Sequence, residues 1–257
     1  MELAIDTVGI TSSVAVSDAG QPVAEITWPS GRRHTPTLVP MIDAVCRNAN
    51  VERAEIAAVF VDLGPGAYGG IRAGMAAAAG LASALSIPTV GINRLEIECY
   101  AHAAASGAAR SGPIVALHNA GRGQLAVAAY LGPAVHWREE TAPALMTPAR
   151  FADHLQGLGE VGVLCGELDR LGAAGIDHLS HLGWTVAGPA ASMRRASLLA
   201  ELAWRVWQRA LAAGRDLTPD QLEPFYMRDP AIGPQSPVVE EPFPVRDGAV
   251  GSSPNED

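Results

Sequence analysis

The chain has 257 residues, 48% of them hydrophobic, and a formal net charge of −9; it is long enough to bury a sizeable core in two domains of roughly 100 residues each. All 18 basic residues are arginine, which excludes a Schiff-base enzyme and a standard P-loop, because both need a lysine amine in the site. The acidic balance and the lack of a basic block argue against sustained contact of this chain alone with a phosphate backbone, so any role in RNA chemistry would need a partner to hold the RNA.

The opening Met1-Glu2-Leu3-Ala4-Ile5-Asp6 is acidic and strand-like, with no basic region ahead of an apolar one, so no signal peptide is read. Cys46, Cys99 and Cys165 are odd in number, widely spaced and outside any Cys-x-x-Cys pair. Neither a disulfide framework nor a zinc site is indicated, and a reducing cytoplasm is the expected location.

In chain order the pattern predicts strands at Glu2 to Asp6, Ser12 to Val16 and Val23 to Trp28, a helix from about Pro36 to Asn48, and a buried strand from Ile56 to Val61. The cluster Gly64-Pro65-Gly66 reads as a tight turn and Ile71 to Ser86 as the next helix. After Pro88 come a short strand through Gly91 and a helix from Leu95 to about Ala105. Three adjacent strands followed by alternating helices and strands give a mixed sheet flanked by helices, the order of a ribonuclease-H-like half.

The second helix carries no Asp, Glu, Lys or Arg between Ala73 and Ser86. A helix that is apolar or small all round must be covered all round, and a single sheet covers one face. Gly74 to Ile92 is long enough to cross a bilayer, but Pro88 interrupts it and alanine dominates it. A spanning helix needs about 20 strongly apolar residues, so no membrane segment is expected.

After the break from Ser106-Gly107 to Gly112-Pro113, Val115-Ala116-Leu117-His118-Asn119 through Ala128 repeats the pattern of Leu3-Ala4-Ile5-Asp6-Thr7 through Val16. Each is an apolar strand with a polar end, a glycine turn and a second apolar strand, so either two related halves or a chance likeness of two hairpins is present. A helix near Pro148 to Leu155, a strand at Val161 to Leu164 and a long helix from about Met193 to Ala213 follow. The expected organisation is an α/β chain with one lobe over residues 1–107, a degenerate second lobe over 108–228 whose 193–213 helix is placed to pack back on the first, and a disordered or loosely attached acidic, Pro-rich tail over 229–257.

Chemistry-bearing residues are sparse. Asp6 ends the first strand ahead of a turn with Thr7, Gly9, Thr11 and Ser12. Such a carboxylate either coordinates a magnesium-bound phosphate with Thr7 and Thr11 nearby or caps its own turn. The matching strand end in the second half is His118-Asn119, which brings no carboxylate, so a two-carboxylate phosphate clamp is incomplete. His178 and His181 form the one close histidine pair, but only Asp177 stands near them, and a solvated loop is the reading preferred. No Gly-x-Ser-x-Gly elbow occurs.

Leu38, Met41, Ile42 and Val45 recur at helical spacing on the first helix, while Met75, Ala78, Ala79 and Ala82 give the second a small-residue surface. Together they are expected to form a partner interface, the competing reading being that both helices are covered within this chain.

Several segments, in order, carry a resemblance: Leu3-Ala4-Ile5-Asp6-Thr7; Arg33-His34 followed by Leu38-Val39-Pro40-Met41-Ile42; Gly64-Pro65-Gly66 through Arg72-Ala73-Gly74; the Arg122-Gly123 turn; and Leu222-Glu223-Pro224-Phe225-Tyr226-Met227-Arg228. They resemble the bacterial TsaB family of tRNA threonylcarbamoyladenosine biosynthesis proteins. The resemblance implies two ribonuclease-H-like lobes of the actin-like ATPase fold, with Gly64, Pro65, Gly66, Arg72 and Gly74 in a structural loop. It also implies a non-catalytic subunit that pairs with a homologous catalytic subunit, TsaD-like, through a four-helix contact built from the first two helices of each partner. That subunit transfers threonylcarbamoyl to the adenosine next to the anticodon of tRNAs reading codons that begin with A, and a small ATPase, TsaE-like, joins the pair. On this reading ATP or ADP and metal belong to the partner subunits, this chain binds no cofactor tightly alone, and tRNA is met only through the complex.

Catalytic relatives carry an Asn-His-x-Glu-x-His type metal motif after the second helix; here the stretch is Asn93-Arg94-Leu95-Glu96-Ile97-Glu98. Arg94 and Glu98 replace both histidines, and an arginine cannot ligate a metal. The chain also departs from the TsaB pattern at Ala67-Tyr68-Gly69 and at Asn119-Ala120-Gly121-Arg122-Gly123, which weighs against a nucleotide role. Two other classes stay open: a metal-dependent peptidase-like or small-molecule kinase enzyme on the same fold, and a homodimer that covers the uncharged helix with a second copy.

Overall fold

A computed structural model of the chain describes residues 1–31, 34–106, 112–132, 138–227 and Pro244. Strand β1 (Glu2–Asp6) pairs antiparallel with β2 (Thr11–Asp18), and β2 with β3 (Gln21–Pro29); on its other side β1 runs parallel to β4 (Ala58–Asp62), which runs parallel to β5 (Thr89–Ile92). A second sheet repeats every pairing sense. There β6 (Ile114–Asn119) is antiparallel to β7 (Leu125–Leu131), β7 to β8 (Arg138–Met146), and β6 is parallel to β9 (Val163–Gly166), β9 to β10 (Thr185–Val186). The orders β3-β2-β1-β4-β5 and β8-β7-β6-β9-β10 correspond strand for strand, so the hairpin likeness reflects two ribonuclease-H-like lobes.

The period of two along the buried strands decides what packs where. On one face of the first sheet Leu3, Ile5, Val14, Val16, Val59 and Val61 meet α1 (His34–Ala49) and α2 (Tyr68–Leu85). The opposite face presents Ala4, Ala15, Ala58 and Phe60 to Tyr100 and Ile97 of α3 (Arg94–Ser106) and to Ala196, Leu199, Ala200 and Ala203 of α6 (Ala196–Ala212). Alanine on both sides of that contact lets α6 lie close over the middle strands. It reaches the first sheet although it follows the whole second sheet in sequence.

Helix α3 faces both ways. Its Leu95, Cys99 and Ala103 pack on Ala116, Ala126 and Cys165 of the second sheet, whose far side is covered by α4 (Pro148–Gly157) and α5 (Gly172–His181) through Phe151, Leu155 and Leu179. The layers therefore run α1 and α2, first sheet, α3 and α6, second sheet, α4 and α5.

Two expectations need correction. Leu38, Ile42, Val45, Ala78 and Ala82 are buried in the chain's own core, with Met41 and Met75 packed against the same cluster. They are the side of α1 and α2 turned to the sheet, and apolar spacing alone does not say which side of a helix faces its own chain. Ala79 is half-buried. The outer side of α2 carries Arg72, Ala76, Gly80, Ser83 and Ala84, all exposed, beside exposed Val39 and Pro40 on α1, so this chain leaves one side of α2 open. His178 and His181 lie on α5 and not in a loop, with His181 Nδ1 2.7 Å from the Asp177 carbonyl oxygen. The tail expected over 229–257 lies outside the described residues except for Pro244.

Leu199 is fully buried where α6 meets the first sheet. Leu199→Ala should cost about 2–5 kcal/mol, read from the denaturant midpoint at unchanged m-value; a loss under about 0.5 kcal/mol would mean that α6 does not complete this core.

Candidate functional site at the cleft between the sheets

The C-terminal ends of β1, β4, β6 and β9 converge on one cluster of ionisable side chains. Asp6, 1% exposed at the end of β1, accepts from Arg194 Nε (3.0 Å) and Nη2 (3.3 Å) and from the Val8 amide (3.3 Å). Arg194 precedes α6 and brings its guanidinium within 4.0 Å of Asp62 Oδ2 and 3.9 Å of Glu98 Oε1. Asp62 accepts the Gly64 amide at 2.8 Å through Oδ1, while Oδ2 has no hydrogen-bond partner among the described residues. Burial pushes the Asp62 carboxyl well above its usual range and the Asp6 charge adds to that, with the two arginines opposing.

Arg94, the first residue of α3, is fully buried. Its Nε donates to Glu98 Oε1 at 2.7 Å, Nη2 to Glu167 Oε1 at 2.7 Å and Nη1 to the Pro65 carbonyl at 3.4 Å. Its amide donates to the Gly64 carbonyl at 2.6 Å. His118, on β6, places Nδ1 2.8 Å from Arg94 Nη1 and 3.0 Å from Glu167 Oε2; it accepts from the arginine when bare and donates to the carboxylate when protonated. One guanidinium thus joins the first lobe's glycine loop to the strand ends of the second.

Over this cluster lies the loop that the sequence marked. Gly64 takes φ 96°, a region open to glycine at little cost, and a Cβ at Gly66 would collide with the Val8 carbonyl oxygen. Gly74 gives room to Thr7 in the same way, and Thr7 Oγ1 donates to the Gly70 carbonyl at 2.7 Å. The late Leu222 to Met227 segment docks on the loop: the Phe225 amide donates to the Leu63 carbonyl at 2.8 Å, and Tyr226 stacks on Tyr68 with ring centroids 5.3 Å apart. Arg72 also holds Tyr68, Nη1 donating to its hydroxyl at 2.9 Å. A recess of about 290 Å³ remains between Pro65, Gly66, Tyr68, His118, Asn119 and Tyr226.

The phosphate reading of Asp6, Thr7 and Thr11 is corrected by this geometry. Arg194 occupies both carboxylate oxygens of Asp6, Thr7 is turned into α2, and Thr11 pairs with Pro29 at the start of β2. A guanidinium already sits where a phosphate-bound cation would need the carboxylate. The metal that catalytic relatives are expected to hold fits no better, because the two replaced positions, Arg94 and Glu98, bond one another and put a fixed positive charge there. Sequence reasoning missed Arg194 and Glu167, whose partners lie 188 and 73 residues away; neither stands in a motif.

Burial alone would raise the Glu167 carboxyl, but His118 and Arg94 outweigh it and hold the group well below its ordinary value of 4.5. As the pH falls, the unfolded chain takes up this proton first, so Glu167 contributes stability above pH 4.5 that is lost progressively below it. Glu167→Gln should flatten the acid limb of the stability curve below pH 4.5 relative to the parent. Parallel acid limbs would show that the bonds to Arg94 and His118 do not depress this group.

Residues 28–202 match the family described as TsaD, tRNA N6-adenosine threonylcarbamoyltransferase. Proteins with that description from Erythrobacter litoralis and Phocaeicola vulgatus are 39% identical over 67 residues and 33% identical over 94, stretches that cover 26% and 36% of this chain. The same stretches span 20% and 27% of those relatives. A crystal structure described as an uncharacterized protein with similarity to peptidase YEAZ from Pseudomonas aeruginosa superposes with a TM-score of 0.69 at 23% identity, over 89% of this chain and 100% of that one; it has the same fold. The family match runs from the end of β3 into α6 and takes in β4, β5 and the whole second sheet, about two thirds of the chain, and on that extent the chain belongs to the TsaD family of tRNA N6-adenosine threonylcarbamoyltransferases.

Proposed function

We propose that the chain is a non-catalytic subunit of the complex that installs threonylcarbamoyl on the adenosine next to the anticodon of tRNAs reading codons that begin with A. The observation that carries this reading is the Arg94–Glu98 ion pair, 2.7 Å long and buried, in the position where catalytic relatives are expected to carry two metal histidines. A site closed by its own charges binds no metal. The family match and the resemblance to TsaB proteins support the same pathway.

The partner is a catalytic homologue, TsaD-like, that brings the metal and nucleotide chemistry, with a small ATPase, TsaE-like, joining the pair. Contact is made by the outer side of α1 and α2, where Val39, Pro40, Ala76, Gly80 and Ala84 are exposed and small side chains dominate. Small residues let helix axes approach to the short end of the usual 8–10 Å separation, which suits a helix pair from the partner. A second copy of this chain would meet the same surface when the partner is absent.

Reconstitution with the catalytic homologue from the same organism tests both points. Modified tRNA is expected only when both proteins are present, and turnover by this chain alone that survives a chelator would overturn the reading. Ala76→Glu puts a charge in the desolvated contact at a cost of several kcal/mol and should weaken association by about 100-fold or more at unchanged melting temperature, since each 1.4 kcal/mol is tenfold. Ala78→Glu, which the sequence pattern placed on the same surface, should instead unfold the chain because Ala78 is buried in its own core. Unchanged affinity of a folded Ala76→Glu variant would move the interface elsewhere.

A further inference from the structure

A second hollow lies far from the cleft. Between α4 and α5 a groove of about 240 Å³ is lined by Leu155, Val161, Leu179, Leu182, Trp184 and Pro244. Val161 and Leu182 are 51% and 52% exposed there, a mainly apolar surface with His178 and Glu160 also among its walls. Pro244 is the only described residue beyond Met227, and it is the one wall of the groove that comes from neither α4, α5 nor the loops beside them.

Pro244 sits in the run Glu240-Glu241-Pro242-Phe243-Pro244-Val245-Arg246. Phe243 is the only aromatic residue after Met227; the proline that follows it disfavours helical backbone at Phe243, and each flanking proline fixes its own φ, so the run favours extended conformations before any contact is made. A segment so restricted loses less entropy on docking than a free one, which is why Pro-rich peptides suit aromatic-lined grooves. The 16 residues between Met227 and Pro244 reach roughly 50 Å when extended, so the tether sets no barrier to the second lobe. It also keeps the segment at an effective concentration in the mM range. The rim of the groove carries exposed Glu160, opposite in charge to Arg246, two residues on from Pro244.

We propose that the chain's own stretch Pro242–Val245 is the ligand of the α4–α5 groove, with Phe243 as its anchor, so that the tail is a tethered peptide that closes this surface to other Pro-rich segments. This goes beyond the tRNA-modification reading and does not depend on it.

Hydrogen exchange of the full chain tests the proposal against full-length Phe243→Asp. Amides of Leu155–Val161 and Leu179–Trp184 should exchange several-fold faster in the variant, those of the first sheet should not change, and a synthetic peptide of residues 238–248 should restore the protection. Equal exchange in the two chains would overturn the proposal, as would a peptide that restores nothing. Protection that fades as the parent protein is diluted would assign the groove to the tail of a second copy and would also overturn it. Val161→Glu, at a half-exposed position, should reproduce the effect of Phe243→Asp from the groove side with the melting transition of the first lobe intact.

Discussion

The structure turns on one buried cation. Removing a guanidinium from water costs several kcal/mol unless its donors are met by well-placed acceptors, and Arg94 meets them only by collecting groups from both lobes: Glu98 on its own helix, the Pro65 carbonyl in the glycine loop, and His118 and Glu167 at the strand ends of the second sheet. The lobes close on this side chain because leaving it half-satisfied would be worse than never burying it. Arg194 does the same for α6, tying its start to Asp6 and so fixing a helix of the second half on the sheet of the first.

That closure has a chemical consequence. A divalent cation or a cation-bound phosphate needs carboxylates or histidines free to face it. Here Asp6, Glu98 and Glu167 all face arginine, and the recess at the mouth is lined by a stacked tyrosine pair, His118, Asn119 and apolar side chains. These charges tie the two sheets and α6 together. Outward the molecule presents a helix with small residues along its open side after Arg72, and beside the cleft a loop held by its late tyrosine motif.

Much of this was legible in the sequence where the signal is local. The strand from Glu2 to Asp6, the turn at Gly64-Pro65-Gly66 and the helix after it follow from apolar runs and glycine placement, and the repeat of the opening hairpin after Pro113 foretold the second sheet. Three kinds of feature were not legible. Periodicity gave the apolar stripe on α1 and α2 but not its direction, so Leu38, Ile42, Val45, Ala78 and Ala82 were read as facing a partner when they face their own sheet. Strand β8, with its register shifts, and the two-residue β10 are too irregular or too short to show a period. The partners of Arg94 and Asp6 come from residues brought near only by the tertiary fold, and no local pattern marks Glu167 or Arg194.

The account stands or falls on whether Arg94 joins the lobes, and a double-mutant cycle between Arg94→Lys and Glu167→Gln measures that directly. Lysine keeps a positive charge for Glu98 but loses the planar fork that reaches Glu167 at the same time. Unfolding free energies of the parent, both single variants and the double variant should give a coupling above about 0.5 kcal/mol, the level that independent sites do not exceed. Additive losses within that margin would contradict the account, since the contact across the cleft would then be an accident of proximity and the lobes would be held by α3 and α6 alone.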